Sequence, residues 1–148
     1  MTILVDDYRI VLNNRMNIWG VHYMRLSNSE LKVMEVVWNE KYINEKNEIQ
    51  ALEVAKVLEK ELGWKRNTTY TVLKKLIDKG AIERYYPNYT IKPLVSKEEI
   101  AMTETNRLID GIFKGSAINY LSTFLSTKKL SSKDIEEIKK MLDKLDKV

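Results

Sequence analysis

Residues 1–23 show no cap and no clear period, but from Ser27 apolar and polar positions follow a helical period that one short segment interrupts. Ser27-Asn28-Ser29-Glu30 forms a capping box, in which the Ser hydroxyl and Glu carboxylate satisfy the first orphan amides of a helix. Leu31, Met34 and Trp38 follow at helical spacing with Val33 and Val37 beside them, which predicts a helix running to about Glu40. Residues 41–50 are polar and read as a loop with a short strand near Ile49. Ala51, Ala55, Leu58 and Leu62 line one face of a second predicted helix, and Gly63 stands where a left-handed cap would end it.

The third helix is predicted from Arg66 or Asn67 to Gly80. Thr69, Val72, Leu73, Leu76 and Ile77 share its inner face. At 3.6 residues per turn, the opposite ridge is Asn67, Thr71, Lys74 and Asp78, flanked by Tyr70 and Lys75. Then the period shortens. "AIERYYPNYTIKPL" is rich in aromatic and β-branched residues, with Pro87-Asn88 between two runs, and predicts a hairpin. Three helices followed by a hairpin is the order of a winged helix, with the second and third helices as the helix-turn-helix and the hairpin as the wing.

From Ser96 the helical period returns. Ser96-Lys97-Glu98-Glu99 is another capping box, and Ile109, Ile112 and Phe113 precede Gly115. A short helix carries Ile118, Leu121, Phe124 and Leu125, and a last one from Ser131 or Ser132 carries Ile135, Ile138, Leu142 and Leu145. The final four have the spacing of a coiled-coil seam over a short span. Three thin amphipathic helices bury little alone, so a second copy is the simplest cover, with Ile109, Ile112, Phe113, Leu121, Phe124, Leu125, Ile135, Ile138, Leu142 and Leu145 as the expected dimerisation residues. The reading is mainly α with a small β-hairpin wing: an N-terminal extension over 1–23, a winged helix-turn-helix domain over 24–95 and a three-helix dimerisation domain over 96–148.

Charge sharpens this picture. Residues 63–86 hold six cations against two anions, an excess equal to the formal net charge of +4 for all 148 residues. The excess positive charge is therefore local to the third helix and wing, and it calls for a local polyanion. Lys65, Arg66, Asn67, Thr68, Tyr70, Thr71, Lys74, Lys75 and Arg84 are the candidate DNA-binding residues. Asn67 and Thr71 can meet base edges, while Lys65, Arg66, Lys75 and Arg84 suit phosphates. Tyr85, Tyr86 and Tyr89 serve equally well as wing contacts or as packing for the hairpin.

Other classes find little support. The chain has no cysteine and one histidine, His22, so there is no disulfide framework, no thiolate metal site and no cofactor or metal to expect. No apolar run spans a bilayer, and Asp6, Asp7 and Arg9 interrupt any signal peptide, which gives a cytoplasmic expectation; no Gly-rich phosphate loop, zinc spacing or nucleophile with a histidine base is present, so no enzyme is expected. A winged-helix protein-interaction module without base-specific recognition remains the alternative. RNA binding lacks the aromatic and Gly-rich motifs of the usual modules.

"LSNSELKVMEVVW", "GWKRNTTYTVLKKLIDKGAIER" and a helical tail with "IDGIFKGS" resemble the penicillinase-repressor family, which includes the β-lactamase, methicillin-resistance and copper-transport repressors. The resemblance covers roughly residues 25 to 148 and implies a winged-helix repressor that binds a two-fold symmetric operator in double-stranded DNA as a homodimer. Trp64, Thr68, Thr71 and Leu76 occupy the family's recognition-helix pattern, and Lys75 sits where a basic residue is usual. Three departures stand out. The paired C-terminal cysteines of the copper-responsive members are absent, which argues against copper sensing. Leu108-Ile109-Asp110-Gly111-Ile112-Phe113 lacks the Asn-Phe bond at which a membrane sensor protease cuts the β-lactamase-type members, so such a protease enters as a partner through the resemblance alone. The loop over 41–50 is several residues longer than usual, and residues 1–23 have no family counterpart, so Met24 is an alternative start.

Overall fold

The computed structural model describes residues 24–147; the extension over 1–23, with His22 and the question of the start, lies outside the described residues. The Ser27 capping box forms as expected: the Glu30 amide donates to Ser27 Oγ at 3.2 Å, and the Ser27 amide donates to Glu30 Oε2 at 3.1 Å. It opens α1, Asn28–Val37, which buries Val33, Met34, Val36 and Val37. Trp38 then turns the chain, and its indole Nε1 donates to the Val95 carbonyl at 2.8 Å. In the loop that follows, the Asn44 side chain accepts from the amides of Lys46 and Glu48 at 2.9 and 3.0 Å, a side-chain turn that replaces helix or sheet bonding.

The loop ends in a short strand, β1, Ile49–Gln50, and α2, Ala51–Leu62, follows directly. Gly63, at φ 67°, closes α2 in the left-handed region that a β-carbon disfavours. Ala51, Val54, Ala55 and Leu58 form the buried face of α2. Leu62, expected on that face, is 46% exposed, because the last turn runs past the core that Leu58 closes, and Val54 fills the stripe instead. Next comes α3, Arg66–Lys79, with Thr69, Val72, Leu73 and Leu76 buried. The wing is β2, Ile82–Tyr85, and β3, Thr90–Pro93. All three strands are antiparallel in the order β1-β3-β2, with Ile49 opposite Ile91 and Arg84 opposite Ile91 on the other side. The expected winged helix is thus the observed fold, with the short strand near Ile49 completing the sheet.

One buried charge ties α3 to α1. Glu30 is 3% exposed, and beyond its capping role it receives Lys79 Nζ at 2.7 Å. The same ammonium donates to the Arg25 carbonyl at 2.7 Å, so the end of α3 is fastened to the start of α1. Removing one partner strands a desolvated carboxylate, which costs about 3–5 kcal/mol for a fully buried pair. Lys79→Met is expected to cost less, about 1–2 kcal/mol, because water still reaches the ammonium; urea unfolding checks it.

The described chain divides into two compact units, one reaching to Ala101 and the other beginning at Met102. The first includes Val95, 2% exposed, and Ile100, 4% exposed. The helices after the wing are α4, Lys97–Ile112, α5, Ala117–Thr127, and α6, Ser132–Asp146. Among the described residues no helix is long and apolar enough to cross a membrane.

Candidate nucleic-acid interface

The face of α3 opposite its buried stripe is exposed along its length: Asn67, Thr68, Thr71, Lys74, Lys75 and Asp78 all face solvent. Its N-terminus has no acidic residue in the first turn and no side-chain cap, with Lys65 at the N-cap. The positive end of the helix dipole therefore adds to Lys65 and Arg66 rather than being neutralised, which favours an anion there. Arg66 Nε meets Glu59 Oε2 at 3.2 Å with both side chains 52% exposed, a pair worth only about 0.2–1 kcal/mol. A phosphate can displace it. Thr71 donates its hydroxyl to the Asn67 carbonyl at 2.9 Å.

The first turn of α1 lies beside this ridge. Ser27, Ser29 and Glu30 share a recess of about 430 Å³ with Asn67, Thr71 and Lys75. The serines were legible in the sequence only as a helix start; their place next to residues forty positions away is a product of packing α1 on α3.

Arg84 lies on the other side of the ridge. Its guanidinium stacks 3.7 Å from the Tyr89 ring centroid and 4.7 Å from that of Tyr86, and its Nε is buried without a hydrogen-bond partner. Tyr70 packs on Tyr89 with centroids 5.7 Å apart, which connects α3 to the wing. Burial pushes the Tyr89 phenol up, and the Arg84 charge opposes this without reversing it, so the ring stays neutral at physiological pH. These side chains wall a groove of about 830 Å³ between α3 and the wing, to which Lys74 and Asp78 also contribute. The tyrosines therefore divide: Tyr89 packs the hairpin and Tyr86, 78% exposed, stands at its tip, while Tyr85 donates to Glu83 at 3.0 Å.

The candidate residues thus form two groups on one surface. Lys65, Arg66, Asn67, Thr68, Thr71 and Lys75 gather around the first half of α3, and Lys74, Tyr70 and Arg84 line the groove behind it. Among the described residues no cluster of His, Asp or Glu is placed to hold a metal ion.

The second unit has a different surface. Its expected dimerisation positions are nowhere fully buried: Ile109, Phe113, Phe124, Ile138 and Leu145 are half-buried, and Ile112, Leu121, Leu125, Ile135 and Leu142 are exposed. Ile112 and Ile118 are 70% and 74% exposed. Phe113 meets Tyr120 edge to face and Tyr120 tilts against Phe124, with centroids 5.7 and 6.3 Å apart.

Comparison with known proteins places the chain in company. The family model described as penicillinase repressor matches residues 26–144. The methicillin resistance regulatory protein MecI of Staphylococcus aureus (strain N315) is 27% identical over 121 residues, which is 80% of this chain and 94% of that one. The penicillinase repressor of Bacillus licheniformis is 26% identical over 121 residues, 80% of this chain and 90% of that one. Among solved structures, the DNA binding domain of the repressor BlaI is 31% identical over 51% of this chain and 87% of that chain, with a TM-score of 0.42.

Proposed function

Because the chain belongs to the penicillinase repressor family, we propose that it is a cytoplasmic, sequence-specific DNA-binding repressor that acts as a homodimer on a two-fold symmetric operator. The observation that carries this reading is the exposed Asn67, Thr71 and Lys74 ridge on α3, backed by a buried stripe, flanked by cations and with no acidic residue in its first turn. A helix of this kind enters the major groove, where its N-terminal half meets base edges. Asn67 can pair bidentately with adenine, and Thr71 meets the adjoining base. Lys65, Arg66 and Lys75 hold phosphates on one side and Arg84 on the other, which fixes register without reading sequence. The exposed apolar positions of α4, α5 and α6 pair with their copies in a second chain, and two recognition helices then address two half-sites. The residues do no catalysis in this reading; repression follows from occupying the operator.

A gel shift against DNA upstream of the chain's own coding sequence, repeated with excess random duplex, tests the reading. A shifted band that survives the competitor supports it. Loss of the band at modest competitor excess, with little dependence on salt, would instead favour a protein-interaction module.

Arg84 makes a separate test of the phosphate assignment. Arg84→Ala is expected to weaken operator and random DNA alike and to lower the slope of log affinity against log salt by about one. It also removes the cation stacked on Tyr86 and Tyr89, worth about 0.5–2 kcal/mol to the wing. A salt titration of both duplexes, beside a melting curve, separates the two effects.

A further inference from the structure

We propose that Thr71 reads a thymine in each half-site through its methyl group, with its hydroxyl proton held by the backbone and not given to a base; this rests on the operator reading above. A threonine hydroxyl has one proton to donate. Here that proton is spent on the Asn67 carbonyl at 2.9 Å, back along the helix. Thr71 is exposed, and with Oγ turned to the backbone we take the γ-methyl as the part of the side chain that meets the groove. The side chain therefore presents an apolar knob and no donor.

The major groove offers one matching feature. Thymine carries a C5-methyl at the groove edge, whereas guanine and adenine present acceptors and cytosine and adenine present amino groups. A Thr71 without a proton to give gains nothing from guanine N7 or O6. Its oxygen can still accept from an adenine or cytosine amino group, but only thymine offers a methyl for the Thr71 methyl to pack on. β-Branching adds to this, since the rotamer that makes the backbone bond is one of the few a helix permits, and the methyl is pre-positioned before DNA arrives. Asn67 sits one turn earlier on the same ridge with its amide exposed, suited to adenine. The two residues together favour A·T pairs within each half-site.

The test compares thymine with uracil, which differ by that methyl alone. The duplex that survives excess random DNA is remade with deoxyuridine at one thymidine position at a time, and binding is measured for the wild-type chain, Thr71→Val and Thr71→Ser. Thr71→Val keeps the methyl and drops the hydroxyl; Thr71→Ser does the reverse. Wild type and Thr71→Val are expected to lose roughly three- to tenfold per half-site at one uracil position. Thr71→Ser is expected to bind the normal duplex as weakly as the wild type binds the uracil duplex, and to show no further loss there. Equal circular dichroism spectra and melting temperatures confirm that all three chains fold alike at this exposed position. A Thr71→Ser chain with wild-type affinity, or a folded Thr71→Val chain that no longer discriminates, would overturn the proposal. So would a wild-type chain that selects the operator yet ignores every uracil, and that result leaves the repressor reading standing. A wild-type chain with no preference for any duplex over random DNA would overturn both.

Discussion

Ending the chain after Ala101 is expected to turn a dimer into a monomer and to weaken binding to a full operator by roughly 100-fold or more. The reason lies in how the two units differ. The first contains the whole buried cluster, from Met24 to Ile100, and its α1, α2, α3 and sheet pack on one another. The second has no buried residue among Met102 to Lys147 and leaves large apolar side chains in water, including Met141 at 61% and Ile112 at 70% exposure. An apolar surface of that kind in a monomer would cost about 25 cal/mol per Å², so a second copy is its natural cover. Once that cover is lost, each winged helix binds its half-site alone, and the gain from tethering two binding events disappears. The cut has to fall after Ala101, since Val95 and Ile100 are core residues of the first unit and Trp38 bonds to the Val95 carbonyl. Sedimentation of the fragment and a gel shift on full and half operators measure both effects. A fragment that sediments as a dimer, or one that binds the full operator as tightly as the intact chain does, would show that residues 102–148 do not join the copies.

Asn67→Ala is expected to cost about 1–3 kcal/mol per half-site on the operator and little on random DNA. Asn67 lies in the first turn of α3 with its side chain exposed, next to the recess formed with Ser29 and Lys75. In the proposed reading its loss removes a bidentate base contact but no charge, so the electrostatic share of binding and the salt slope should persist. The stability of the fold should hardly change, because the side chain has no part in the buried cluster. The comparison of operator with random duplex at one salt concentration is the informative measurement. Equal losses on both would move Asn67 from base reading to backbone contact. Specificity that survives Asn67→Ala and Thr71→Ala together would mean that this ridge does not read bases at all.

Much of this protein was determined by sequence alone, through signals that act over a few residues. Caps and period are local: the Ser27 capping box, Gly63 in the left-handed region, the end of α3 at Gly80, and the 3.6-residue stripe of α3 each follow from neighbouring side chains and backbone sterics. The hairpin was legible for the same reason, as was the clustering of charge on α3 and the wing. The split of α3 into a buried face and an exposed one followed from residue type and period.

What needed the tertiary structure were relations between residues distant in the chain. The fastening of Lys79 to Glu30 and Arg25 joins positions about fifty residues apart, and no local rule pairs them. Arg84 read as a simple surface cation until Tyr86 and Tyr89 were seen to enclose its guanidinium, and Tyr70 to reach the same cluster from α3. Leu62 fitted the apolar period of α2 and yet stays exposed, because period says which side a residue faces but not how far the core extends along the helix. Thr71 shows the limit most sharply. Its position on the ridge came from spacing, but whether it offers a hydroxyl or a methyl was decided by one torsion angle, fixed when the hydroxyl found the Asn67 carbonyl. Sequence assigns residues to faces because backbone geometry repeats; which atoms they present there depends on hydrogen bonds and packing that form only when the chain is folded.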